Sequence, residues 1–369
     1  MATQAVLSAT FDTALQFQKL ATFPRLRVLA WDGDVLYASR GYSLFKARAT
    51  SGLFEWASVG GYRPDWWRQL TSRSKLSYRL VRDGVHALAI HPGGNLIAAV
   101  PGAIATLRSG EGEFRVAHRL LRGTRPLHIT ATPEGRTFWG EYFDNPGRDE
   151  VHTYASDDAG TSWNVAHTFP RHSIRHIHNV IYDRWRKCLW IFTGDYGKEC
   201  KILRASLDLA TLDEVVAGNQ QARAVAAIVN EDGLYFASDT PLERNYIYHV
   251  DLNGRVKECS VLSSSSIYAC HNRSGMFFST MIEPSPVNHS RDVTVVGSSG
   301  GERWDVVARW RKDRWPMKYF QYGNAFLPDG ENSTDLLAVT TVAVSGADCV
   351  TSVWRTSAVQ TVSAWSRTE

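Results

Sequence analysis

His178-Asn179-Val180-Ile181-Tyr182, a polar turn from Asp183 to Lys187, then Leu189-Trp190-Ile191-Phe192-Thr193-Gly194-Asp195: this stretch decides how the chain reads. Two short runs rich in β-branched and aromatic residues, split by a polar turn, read as a β-hairpin. The same grammar lies upstream in His128-Ile129-Thr130-Ala131, a turn at Pro133-Glu134-Gly135, and Thr137-Phe138-Trp139-Gly140-Glu141. It lies downstream in Arg223 to Val229, a turn at Asn230-Glu231-Asp232-Gly233, and Leu234 to Asp239. Each hairpin is followed by a loop and two further strands, a period of about 45 residues that fits a propeller blade. Further units open at Leu26, Val85, Ser266 and Tyr319. The expected fold is all-β, a seven-bladed β-propeller of four-stranded antiparallel blades in one domain, 1–369. Its blades are expected near 20–60, 84–122, 125–170, 174–218, 221–263, 265–311 and 315–358, with an insertion at 61–80. Pro64 to Leu80 reads as an inserted loop or short helix.

Composition agrees with a closed, well-packed ring. Of 369 residues, 44% are hydrophobic and 21% charged, which excludes disorder, a collagen repeat and a coiled coil. No run approaches the roughly 18 to 20 apolar residues of a membrane helix, so no membrane span is expected. The net charge is only +4 and its basic residues are scattered, so nucleic acid is not an expected partner. Thirteen Trp and fourteen Tyr suit sheet packing and sugar stacking. The first twelve residues show no basic region followed by an apolar core, so a cytoplasmic location is expected; a chain relieved of a leader would read alike and be secreted or periplasmic. The five cysteines form no CxxC pair and read as reduced thiols.

Ser156-Asp157-Asp158-Ala159-Gly160-Thr161-Ser162-Trp163 matches the Asp-box pattern S-x-D-x-G-x-[ST]-W, and Ser298 to Trp304 is a degraded copy. Its Ser and Asp satisfy backbone groups of a tight turn, so the motif is structural. Chemistry is expected where inner strands begin and second strands end, at one mouth of the channel. Arg125, Arg175 and Arg223 precede three inner strands, while Glu141, Asp195 and Asp239 follow three second strands. His86, His128, His176 and His178 also lie near inner-strand starts and could move a proton near neutral pH. Tyr142, Glu283 and Tyr322 reach the same rim. The sequence demands no cofactor, but His-x-His on one strand face would suit a divalent cation (Ca, Mn or Zn) at the mouth.

The Asp-box, the seven-blade period and the His/Arg/Tyr-rich mouth resemble the sialidase-like and polysaccharide-lyase propellers, including the ulvan and rhamnose–glucuronate lyases. Arg125, Arg175 and Arg223 loosely mimic the sialidase Arg triad, but Phe23-Pro24-Arg25-Leu26 does not match the sialidase F/Y-R-I-P motif. The resemblance implies an enzyme acting on an acidic, uronate-containing oligosaccharide or polysaccharide, foremost a lyase using β-elimination. In that reading Arg175 or Arg223 neutralises the uronate carboxylate, His178 or His128 takes the C5 proton, and Tyr142 protonates the leaving oxygen. Arg125, His86, His176, Asp239, Glu283 and Tyr322 would bind substrate. The enzymatic alternative is a glycoside hydrolase using two of Glu141, Asp195, Asp239 and Glu283. The non-catalytic alternative is a glycan- or protein-binding propeller.

Overall fold

The computed structural model describes residues 11–49, 52–72 and 74–362. Its strands form seven sheets, arranged as the blades of a β-propeller. The second strand of the fourth blade, Cys188–Thr193, is buried throughout, because a blade is covered on both faces. Leu189 and Ile191 pack with Phe138 and Val151 of the third blade. Trp190 and Phe192, one residue out of phase, pack with Phe236 and Tyr248 of the fifth. A continuous apolar strand therefore feeds two inter-blade cores at once. Apolar burial, at about 25 cal/mol per Å², is the main force holding neighbouring blades together. Outer strands such as Asn164–Phe169 are largely exposed and read as mixed polar sequence.

The ring is closed by the chain's own ends. The last blade comprises Asn324–Phe326, Leu336–Val342, Val350–Val362 and, as its outermost strand, Phe11–Pro24. This first strand runs antiparallel to the last one, from Phe11 opposite Val362 to Pro24 opposite Val350. The sequence reading did not place residues 11–24 in that blade. The inner strand of this blade is also short. After Phe326 the chain passes Pro328, which cannot donate to a ladder. Asp329–Asn332 then pairs in parallel with Ala30 to Gly33 of the first blade. Gly330 has φ +81°, and a Cβ there would collide with the Trp31 carbonyl oxygen.

The Ser156–Trp163 turn is built from its own side chains. Asp158 Oδ1 accepts the N–H groups of Thr161 and Ser162 at 3.1 and 2.8 Å, Gly160 takes φ +79°, and Trp163 is buried. In the sixth blade, Ser298 Oγ accepts the Gly301 N–H at 2.8 Å and Trp304 Nε1 donates to the Gly301 carbonyl at 2.9 Å.

The insertion between the first two blades folds as two short helices, Trp66–Thr71 and Lys75–Val81. Buried Asp83 ties them down, accepting Tyr42 Oη at 2.8 Å, Arg68 Nη1 at 2.6 Å and the Thr71 hydroxyl. Buried Arg79 reaches across to Asp313 and Asp348 of the sixth and seventh blades. Among the described residues no helix is long and apolar enough to cross a membrane.

Candidate functional site

At the start of the fourth inner strand, Ile177–Asp183, the ladder is irregular between Ile177 and Asn179. His176 and His178 flank Ile177 there, and both rings are buried. Across from them the second strand ends in Thr193-Gly194-Asp195. Gly194 has φ +131°, and a Cβ on it would stand 2.6 Å from Cys200 Cα, so only glycine permits this turn. The turn delivers the Asp195 carboxylate to both imidazoles: Oδ2 lies 3.3 Å from His176 Nε2 and Oδ1 3.3 Å from His178 Nε2. The two Nε2 atoms are 3.0 Å apart. Each ring turns its other nitrogen to a carbonyl, His176 Nδ1 to Phe143 O and His178 Nδ1 to Ala224 O, both at 3.0 Å. A carbonyl only accepts, so both Nδ1 atoms carry the proton. Burial pushes the His178 imidazole below its ordinary value and keeps it neutral. These three residues could hold a metal ion.

Two guanidiniums grip the other side of Asp195. Arg175 Nη1 lies 3.4 Å from Oδ2 and Arg223 Nη2 3.4 Å from Oδ1. Arg175 also pairs with exposed Asp144 at 2.5 Å, and Arg223 lies 3.8 Å from Asp239 Oδ2. The Nε atoms of both arginines, and Oδ1 of Asp239, are buried without a hydrogen-bond partner among the described residues. Burial, reinforced by Glu283 and Asp195 against the pull of Arg223, pushes the Asp239 carboxyl up to about 8. Glu283 sits on the sixth blade and accepts the Ser265 hydroxyl at 3.2 Å. The Tyr142 ring packs on His176 with centroids 4.4 Å apart, and burial pushes its phenol up to about 12, so it stays protonated. Sequence reasoning missed Gln220, whose Nε2 donates to the Asp195 carbonyl at 2.9 Å; nothing in its local sequence signals that role.

Four expected site residues make other contacts, outside the cluster around Asp195. Glu141 pairs with Arg122 at the end of the second blade and accepts the His152 N–H of its own blade at 2.8 Å. Its backbone N–H continues the ladder to His152 O, so its side chain stays with the sheet. His128 meets Asp329 at 3.1 Å on the strand that crosses from the last blade to the first. The third inner strand is only Thr130–Ala131, so His128 precedes it rather than mirroring His178. His86 Nδ1 lies 3.3 Å from Arg27 Nη1, and its Nε2 bonds the Arg82 carbonyl at 2.7 Å. Arg125 joins Arg27, Arg82, Tyr78 and Tyr268 rather than the histidine pair. Tyr322 precedes Gly323, whose carbonyl accepts the Ile282 N–H at 2.8 Å, next to Glu283 on the sixth blade. His178, expected to face the channel as a base, is turned between two blades with 2% of its side chain exposed. A cavity of about 410 Å³ lies apart from this cluster, beneath the helical insertion, lined in part by Arg27, Tyr42, Tyr78 and Asp83.

No family model matches the chain, and no curated protein matches its sequence. Solved structures do. The β-propeller domain of Cps50 (Swd1) from Myceliophteria thermophila aligns at TM-score 0.54 and 8% identity, covering 93% of this chain and 99% of that one. The WD40 β-propeller domain of Doa1 aligns at 0.52 and 10% identity, covering 92% and 97%. The chain shares their fold. At such identities the likeness extends to the architecture alone, and the chemistry must be argued from the mouth itself.

Proposed function

We propose that the mouth over the fourth to sixth blades hydrolyses a glycosidic bond in a carboxylated, uronate-containing glycan. The observation that carries this reading is a pair of carboxyl groups with divided roles. Asp239 is buried, raised to about 8 and unpartnered at Oδ1, a proton donor at neutral pH, while Glu283 stands nearby on the next blade. A carboxyl held protonated beside a second carboxyl is the arrangement of an acid and its partner in glycoside hydrolysis. Asp239 gives its proton to the leaving oxygen, and Glu283 attacks the anomeric carbon or activates water. The guanidiniums of Arg175 and Arg223, both at the Asp195 carboxylate, supply positive charge for the sugar carboxylate. The Asp-box pattern at Ser156–Trp163 supports kinship with glycan-active propellers.

A lyase is the second reading, favoured by Tyr142, a protonated phenol whose hydroxyl makes no hydrogen bond among the described residues. There the two arginines neutralise the uronate carboxylate and Tyr142 protonates the leaving oxygen. Incubation with a panel of uronate glycans separates the readings. New reducing ends without ultraviolet absorbance support hydrolysis, whereas absorbance from a C4=C5 double bond establishes elimination. Saturable binding with neither product overturns both in favour of a binding propeller.

A further inference from the structure

We infer that His176, His178 and Asp195 form a binding site for one divalent transition-metal ion of the zinc class. Both Nδ1 atoms are committed to backbone carbonyls at 3.0 Å, so in the neutral rings each Nε2 presents a lone pair. Those lone pairs face each other across 3.0 Å, and each faces an oxygen of the Asp195 carboxylate across 3.3 Å. Two nitrogen lone pairs and two carboxylate oxygens turned toward one another in a buried place repel unless a cation or a shared proton lies among them. The spacing is that of ligands on one ion. Atoms about 2.0–2.1 Å from zinc stand roughly 2.9 Å apart at a right angle and roughly 3.4 Å apart at the tetrahedral angle.

The surroundings fit the same reading. Ligating histidines characteristically donate their far N–H to a carbonyl or carboxylate, which fixes the ring and its tautomer. Here Phe143 and Ala224 serve both rings, one from the blade before and one from the blade after. Two imidazole nitrogens and one carboxylate favour zinc, cobalt or iron over calcium, which takes oxygen ligands. Of the three side chains Asp195 is the most exposed, 12% against 5% and 2%, so the open side of the site faces the mouth. Arg175 and Arg223 form ion pairs with the carboxylate at 3.4 Å, charged neighbours that would hold Asp195 in place.

This inference does not depend on the hydrolase reading, and its test does not use activity. The full chain is purified, stripped with a chelator, and titrated with Zn(II) and, separately, Co(II), by calorimetry and visible absorption. The expected result is saturable uptake of about one ion per chain, with cobalt bands of a low-symmetry nitrogen–oxygen site and a raised Tm. His178→Ala and Asp195→Asn should weaken uptake at least about 100-fold, whereas His128→Ala should leave it unchanged. Circular dichroism confirms that each variant is folded, and His176→Gln replaces any variant that is not. Absence of saturable uptake, or equal uptake by wild type and the folded ligand variants, would overturn the metal site and leave a shared proton among the three groups.

Discussion

Two arginines, one before the inner strand of the third blade and one before that of the fifth, meet opposite fates. Arg125 and Arg223 both precede inner strands and both are largely buried, yet their guanidiniums respond in opposite directions. Burial, with Arg27 and Arg82 nearby, pushes Arg125 down to about 10. Burial acts on Arg223 in the same sense, but Asp239 and Asp195 outweigh it and raise the group above its ordinary value. One half of the mouth thus alternates guanidinium with carboxyl group, from Arg175 through Asp195 and Arg223 to Asp239. The other gathers Arg27, Arg82 and Arg125 around His86 with rings close by: the Arg27 guanidinium lies 4.1 Å from the Phe326 ring centre, and Tyr78 and Tyr268 are near. Burial sets the size of the stress on a charge, and the company it keeps sets the sign.

Asp195→Ala should break that contrast most strongly. It leaves two guanidiniums and two imidazoles without their shared anion, and a loss of about 3–5 kcal/mol by chemical denaturation is expected. A loss below about 1 kcal/mol would mean the alternating half is not coupled. Asp239→Asn acts next, lowering turnover of a uronate glycan about 10²–10⁴-fold while the fold is kept. The same variant sharpens the pH behaviour. Folded Asp239 keeps its proton up to about 8, whereas the unfolded chain releases it near 4, so wild type binds more protons when folded across that range. Wild-type stability relative to Asp239→Asn should therefore fall as pH rises from about 4 to about 8, and a flat difference would contradict a buried neutral carboxyl.

The two arginines can be set against each other directly. Arg223→Met strands Asp195 and Asp239 and should cost about 3 kcal/mol, whereas Arg125→Met strands no carboxylate and should cost less than about 1 kcal/mol. Equal losses would erase the comparison. The smallest effect is expected from Glu141→Gln. It weakens the contact with partly exposed Arg122 by about 1 kcal/mol and leaves glycan turnover unchanged, since Glu141 lies outside the mouth.

Much of this architecture was legible in the chain. Runs such as Leu189-Trp190-Ile191-Phe192 announce strands covered on both faces, and their recurrence announces blades. The gathering of Arg175, His176, His178, Asp195, Arg223 and Asp239 was legible too, because equivalent positions in adjacent blades must converge at one end of the ring. Glu141 broke the analogy through a detail of hydrogen bonding. Its N–H bonds outward to His152 O, whereas the Asp239 N–H bonds inward to Arg223 O. In a strand, that choice decides which side a carboxylate faces.

By itself, then, the sequence determined the strand grammar, the sevenfold repeat, and the residue types that would meet at the mouth, because these follow from local periodicity. Only the tertiary structure decided how the ring is closed. Phe11–Pro24 finds its partner in Val350–Val362, and no local pattern records a pairing between chain ends more than three hundred residues apart. It alone also decided the states of the side chains. Whether His178 is a surface base or a buried ring bonded to Ala224 depends on the neighbouring blade, as does whether an arginine meets a carboxylate or another arginine. Protonation and reactivity are set by distances of a few ångströms across blade boundaries, and those distances exist only once the ring has closed.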